Sequence, residues 1–350
     1  MNPFQHLVGN ETAKSSLKNL LSSKRVPQTL LFSGKEGVGK AQFAKAFAKA
    51  LLETTQDTHP DLFILEPEGK SGMHSIDSLR VLSKEAMQPP YMAKRKLFLL
   101  FDAHRMAAYS SNALLKTFEE PHEATTFILT THREDQILPT ILSRSFTLRF
   151  SPLSTHEMVP CLSQKLAASE EEIKTLAALS EGSLGSAFFL ADGAKKKLFD
   201  AVIAFLAERK RASFLDVIAL SKEIHLYGET LRKEQEKISV KVEGVTASQM
   251  AEWERGQEGK LKKLLQSLVK ALLDTAFLWF RDLQCLRYSG KSAEIALTAY
   301  REPLINALER GEIAPLEKME ALVAEAFLSF DRTTPLSHLF ESFFLKLSRL

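Results

Sequence analysis

The stretch Leu30-Leu31-Phe32-Ser33-Gly34-Lys35-Glu36-Gly37-Val38-Gly39-Lys40-Ala41 constrains the fold more than any other part of the chain. A short apolar run enters a glycine-rich turn, and a helical pattern follows from Gln42 to Leu52. The order strand, loop, helix is the one a phosphate cradle requires. Gly34, Gly37 and Gly39 let backbone N–H groups converge on an anion, and the helix N-terminus adds its partial positive charge. Lys40 would reach the outer phosphates. The next position calls for Ser or Thr to ligate Mg²⁺, and the chain has Ala41 there. The loop is built for a nucleotide but lacks the side chain that holds the metal.

Alternating signals surround this loop. Leu17, Leu20 and Leu21 share one face of a helix that ends at Lys24-Arg25 and Pro27. His59-Pro60-Asp61 reads as a turn before the strand Leu62-Phe63-Ile64-Leu65, and Ile76, Leu79 and Leu82 mark another helix face. Lys96 to Asp102 is almost continuously apolar and ends in an acid, as a strand buried on both faces of a parallel sheet does. In a P-loop protein an Asp at that end is placed to hold Mg²⁺. The alternative is an Asp that ends its strand and caps the next helix. Ala103 stands where hydrolytic P-loop proteins carry a water-orienting Glu. Ser110 to Glu120 is expected to be helical, Thr126 to Thr131 a strand, and Ile141 to Ser145 a lead into the strand Phe146 to Phe150. Strands alternating with helices to residue 150 indicate a doubly wound, mainly parallel α/β sheet.

Beyond Ser154 the strand patterns stop. Residues 154–194 read as short helices, with Gly182 and Gly185 in a connection. From Lys195 to Leu350 the periodicity is helical nearly throughout, as in Leu261, Leu264, Leu265, Leu268 and Leu272. Ile238 to Gly244 reads as a loop. Three domains are expected: 1–152 as the P-loop α/β module, 153–194 as a small helical domain, and 195–350 as an all-helical domain. A 350-residue chain is too long for one typical core. A net charge of +3 neither requires nor excludes nucleic acid. Cys161 and Cys285 cannot make a disulfide framework or a zinc ligand set by themselves, which suits a reducing cytoplasm. The histidines show no metal spacing. No basic region followed by an apolar run opens the chain, and no apolar stretch approaches a membrane span, so neither a secretory leader nor a membrane is expected. Lys195-Lys196-Lys197 and Arg209-Lys210-Arg211 read either as contacts to DNA phosphates or as solvated helix faces. Phe340, Phe343 and Phe344 read as core or subunit interface.

At Asn112-Ala113-Leu114-Leu115-Lys116-Thr117-Phe118-Glu119-Glu120-Pro121 the chain resembles the clamp-loader subunits of DNA polymerase III, an AAA+ family, and most nearly their delta-prime members. Ser143-Arg144-Ser145 is similar to the family's Ser-Arg-Cys motif, with Ser145 in place of Cys. Pro27 to Gly34 and His59-Pro60-Asp61 also match. The resemblance covers residues 1–190 well; the remainder matches mainly as a helical collar, through Trp279-Phe280-Arg281-Asp282-Leu283.

The resemblance implies a subunit of a hetero-oligomeric ring that opens the sliding clamp and loads it onto primed DNA. Within that subunit residues 153–194 would be a lid and residues 195–350 a collar. It implies that Thr131 is a sensor position and that Arg144 is an arginine finger, offered to ATP bound by the neighbouring subunit. A surface salt bridge is the plainer reading of Arg144. It also implies that ATP-binding relatives carry a sensing Arg near Gly182-Ser183-Leu184-Gly185, which Gly185 cannot supply. Delta-prime members with zinc carry a cysteine-rich insertion after the loop helix. Leu51 to Pro60 has no cysteine, so zinc is not expected there. With Ala41, Ala103 and Gly185 together, the expected protein does not turn over ATP by itself, although vestigial ATP or ADP binding at Gly34, Gly37, Gly39, Lys40, Asp102 and Thr131 is compatible with the loop. An active motor subunit or a DNA-remodelling ATPase of the same fold is the alternative.

Overall fold

The computed structural model describes residues 2–68, 72–106, 114–239, 247–311, 313–332 and 334–350. Five parallel strands form one sheet: β1 (Thr29–Gly34), β2 (Leu62–Leu65), β3 (Lys96–Leu100), β4 (Thr125–Thr131) and β5 (Phe146–Phe150). Their order is β2-β3-β4-β1-β5, so the loop-bearing strand is central, between β4 and β5. Helices α1 (Glu11–Ser23), α2 (Lys40–Leu51), α3 (Ile76–Ala86), α4 (Leu115–Glu119) and α5 (Pro139–Arg144) accompany it.

Strand alternation divides the apolar runs between two cores. Leu30 and Phe32, Leu97 and Leu99, and Ile128 pack with Leu17 of α1 and Phe43 and Phe47 of α2. Leu31, Phe98, Leu100, Phe127 and Leu129 pack with Leu79 and Leu82 of α3, Phe118 of α4 and Ile141 of α5. Both faces are covered, which is why these strands read as continuous rather than alternating apolar runs. On α3 the expected apolar face is narrower than its spacing implies, since Ile76 is 41% exposed.

Two buried polar groups pin the starts of β2 and β3. The Asp61 carboxylate, fully buried, accepts from the backbone N–H of Tyr91 (2.5 Å), Met92 (2.8 Å) and Ala93 (2.8 Å). Burial works against that charge, but the three donors outweigh it and hold the carboxyl below its usual range. The His59-Pro60-Asp61 turn is thus a structural clasp. Lys96, also fully buried, donates to Glu85 Oε2 at 3.0 Å and lies over the Tyr91 ring, 4.3 Å from its centroid.

The remaining chain is helical in its described residues: α6 (Thr155–Lys165), α7 (Glu170–Leu179), α8 (Leu184–Leu190), α9 (Gly193–Glu208), α10 (Phe214–Ser239), α11 (Ala247–Ser289), α12 (Arg301–Glu309), α13 (Leu316–Asp331) and α14 (Leu336–Ser348). The chain divides into two compact units. One is Met1–Glu157 with Ser183–Gly185 and Thr246–Lys260; the other is Met158–Gly182, Ser186–Val245 and Leu261–Leu350. The second has its own core, in which Trp279 and Phe280 of α11 and Phe340, Phe343 and Phe344 of α14 are buried. Fully buried Asp282 accepts from the Leu297 N–H at 2.7 Å.

Several expectations are corrected. The Ile141 to Ser145 lead into β5 is, through Arg144, the helix α5, with Pro139 at its first position, where a missing N–H costs nothing. Gly185 lies in the first turn of α8 rather than in the connection. The basic clusters are not uniformly solvated or free to meet DNA. Lys195 is buried against the Phe189 ring at 3.9 Å and donates to Asp192 at 3.0 Å. Arg209, 1% exposed, stacks on Phe280 and donates to the Leu347 carbonyl at 3.2 Å. Asn112 and Ala113 of the expected Ser110–Glu120 helix, and most of the expected Ile238–Gly244 loop, lie outside the described residues. No described helix is long and apolar enough to cross a membrane.

Candidate nucleotide-binding site

β1 ends in Gly34, whose position is dictated by the neighbouring strand. A Cβ on Gly34 would lie 2.2 Å from the Phe150 carbonyl oxygen of β5, and its φ is +152°. Gly37 (φ 75°) and Gly39 (φ 98°) carry the left-handed backbone that bends the loop into α2. The N-cap of α2 is Gly39, which has no side chain to turn back on the first N–H groups of the helix. Lys40 is 7% exposed; its Nζ donates to the carbonyl oxygens of Gly34 and Lys35, both at 2.6 Å. The ammonium thus braces the loop from within. The Gly185 N–H points back to the Gly37 carbonyl at 3.5 Å, which brings position 185 to the loop itself.

The second half of the site is the carboxyl edge of β3 and β4. β3 stops at Leu100, two residues short of the acid. Asp102 adopts a left-handed backbone (φ 51°, ψ 50°), a conformation Asp tolerates better than most residues. Its N–H donates to Thr130 Oγ1 on β4 at 3.1 Å. Asp102 precedes a single 3₁₀ turn, Ala103–Arg105. Ala103 is 1% exposed and packs into the core beneath α3 to α5. His74 Nε2 lies 2.9 Å from the Phe101 carbonyl oxygen and ties down this turn, and burial pushes the ring's pKa below its usual value.

Thr131 is fully buried at the end of β4; its hydroxyl accepts from the Arg133 N–H (3.0 Å) and lies 3.2 Å from His104 Nδ1. His104 stands edge-on to His132, ring centroids 4.1 Å apart. Burial, followed by the positive potential of His132, lowers the His104 pKa to about 4. Asp102 pulls it the other way, and Arg105 and Arg133 push it further down. Sequence spacing had picked out none of these histidines. They meet because parallel neighbours β3 and β4 end side by side, a relation that runs of His and Asp in one segment do not reveal.

Arg144, the last residue of α5, is half exposed, pairs with Glu119 Oε1 at 3.1 Å and donates to the Thr140 carbonyl at 3.4 Å. Glu119 belongs to the signature run before Pro121. The structure therefore joins two motifs that are far apart in sequence.

The central loop-bearing strand, the parallel order and the helical remainder define a P-loop α/β module followed by helices. Residues 9–154 match the family model described as DNA polymerase III, delta subunit. Among curated relatives, the delta' subunit of Bacillus subtilis DNA polymerase III is 31% identical, over 39% of this chain and 46% of its own. The tau subunit of Escherichia coli is 30% identical over 55% of this chain and 33% of its own. The gamma subunit of Buchnera aphidicola is 29% identical over 52% and 54%. Through this region the chain is similar to the clamp-loader subunits of DNA polymerase III. It spans between a third and about half the length of the relatives that head the comparison. A gamma subunit-related protein of Thermotoga maritima superposes over 84% of this chain and 99% of its own, at 19% identity and a TM-score of 0.43.

Proposed function

We propose that this chain is a delta-prime-like subunit of a DNA polymerase III clamp loader that does not hydrolyse ATP itself and lends Arg144 to ATP held by a neighbouring subunit. The observation that carries this reading is Ala103. Hydrolysis needs a polar side chain to orient the attacking water, and position 103 is an alanine packed into the apolar core. A glutamate there would have to displace that packing. Ala41 removes the hydroxyl that would hold Mg²⁺, and Gly185, adjacent to the loop, brings no cation. The glycines and Lys40 remain, so ATP or ADP can be held without being cleaved. In this reading, helices of the second unit form the collar of a hetero-oligomeric ring, whose other partners are the sliding clamp and primed DNA.

Arg144 has a competing partner in Glu119. A half-exposed pair of this kind is worth about 0–1 kcal/mol. An arginine finger is worth about 10³–10⁵ in rate, several kcal/mol in the transition state. A phosphoryl group in a neighbouring site therefore outbids Glu119 by a wide margin.

A motor-subunit reading rests on the intact shape of the loop and on relatives named gamma and tau. Steady-state ATPase of the purified chain separates the two: turnover abolished by Lys40→Ala would establish the motor. The role of Arg144 is tested by phosphate release from a reconstituted loader with clamp and primed DNA. Arg144→Ala is expected to slow one site by orders of magnitude with assembly intact, and Arg144→Lys to recover little, because lysine lacks the planar fork. Unchanged release would leave Arg144 as a surface ion pair.

A further inference from the structure

Asp102, His104 and His132 come together at the carboxyl edge of the sheet. One ligand atom from each, a carboxylate oxygen and two imidazole nitrogens, lies within 4.8 Å of the other two. His132 Nδ1 is 3.8 Å from Asp102 Oδ1, too far for a hydrogen bond, and it is buried with no hydrogen-bond partner. A buried ring nitrogen left in this way costs free energy unless something else accepts its lone pair. Outer contacts hold the other two groups. Thr131 Oγ1 orients the His104 ring through Nδ1, and Thr130 Oγ1 anchors the Asp102 backbone. Supporting bonds of this kind fix ligands before an ion arrives.

We propose that Asp102, His104 and His132 form a binding site for a divalent transition metal of the zinc class, independent of nucleotide. The donor set decides the class. Two imidazoles and one carboxylate suit borderline ions such as Zn²⁺ and Co²⁺, whereas Mg²⁺ and Ca²⁺ take oxygen donors. Ligand atoms of one tetrahedral ion with bonds of about 2.0–2.2 Å lie roughly 3.5 Å apart. Drawing the three atoms inward from 4.8 Å therefore takes side-chain rotation rather than a change of fold. Three protein ligands leave a fourth position open to water or another ligand. Arg105 and Arg133 are near enough to act on His104 and oppose a cation. The Asp102 carboxylate offsets part of that charge, so affinity should be moderate. The site does not depend on Arg144 or on ATP chemistry, and it differs from the cysteine-type zinc site whose absence the sequence indicates.

The test uses the full chain, stripped with chelator and free of nucleotide, titrated with Co²⁺ by calorimetry and by visible absorption. One Co²⁺ per chain is expected, displaced by one equivalent of Zn²⁺ and not by Mg²⁺ at the same concentration. His104→Ala and His132→Ala should each weaken binding about tenfold or more, and the double variant should abolish it. Exposed His338→Ala is the control and should change nothing. His132→Gln, with circular dichroism and melting temperature matched to wild type, carries the test if an alanine variant fails to fold. Equal binding by wild type and double variant, no stoichiometric Co²⁺ binding, or displacement by equimolar Mg²⁺ would overturn the proposal.

Discussion

The loop after β1 and the turns after β3 and β4 lie on the same edge of one parallel sheet, but they have kept different things. The loop keeps its shape. Gly34 passes beside Phe150 where no side chain fits, and Lys40 closes on two loop carbonyls. The turns after β3 and β4 keep an acid, Asp102, but have a buried alanine beside it and two histidines facing it. Backbone geometry persists in the first place because the sheet and α2 depend on it for packing. In the second place position 103 is filled by a small apolar side chain packed beneath α3 to α5, so the fold there depends on the alanine and not on an acid. A P-loop is therefore evidence of architecture first and of chemistry only when its partner strands agree.

Four substitutions probe that contrast by urea unfolding of the full chain. Gly34→Ala should have the largest effect. Its Cβ meets the Phe150 carbonyl, a backbone atom that cannot move aside, and the cost should be about 3–5 kcal/mol; a stable, native-like variant would mean that the loop is looser than its geometry implies. Ala103→Glu comes next, at about 2–4 kcal/mol, from placing a carboxylate in an apolar cluster. If it is tolerated and, paired with Ala41→Ser, produces ATP turnover, the acid position is open and the contrast between the two places fails.

Asp61→Ala, away from both, should cost about 2–3 kcal/mol by orphaning three N–H donors. Because the folded carboxyl titrates below its unfolded value of 3.8, its contribution is complete above that pH and disappears as pH falls through the folded value. The difference between wild type and Asp61→Ala should therefore shrink in acid, and a gap that widens below pH 4 would contradict the clasp. Lys40→Ala should be mildest, about 1 kcal/mol for two carbonyl contacts at a partly solvated site. If the loop still holds ATP or ADP, the same variant should lower that affinity about tenfold or more in a fluorescent-nucleotide titration. A large loss of stability without change in nucleotide affinity would make Lys40 a purely structural brace.

Much of this protein could be read from its residue order. The β1–loop–α2 sequence, the β2 and β5 strands and the helical character beyond residue 154 each follow from local periods of two or 3.6 residues and from glycine and proline positions. Those signals depend on neighbours in sequence. The specific signature at 112–121 and the glycines of the loop pointed to the family for the same reason. The helix α5 is not separable in the sequence from a lead into β5, because Ile141-Leu142 satisfies a short helix as readily.

Tertiary structure alone decided the rest. It set the order β2-β3-β4-β1-β5, which puts Asp102 beside Thr130 and His104 beside His132. It brought Glu119 to Arg144, buried Arg209 against Phe280 and Leu347, and packed Ala103 into a core. Each of these is a contact between segments tens of residues apart. Their meeting is fixed by which strands pair and which faces must be covered, and no local period in the chain encodes that choice.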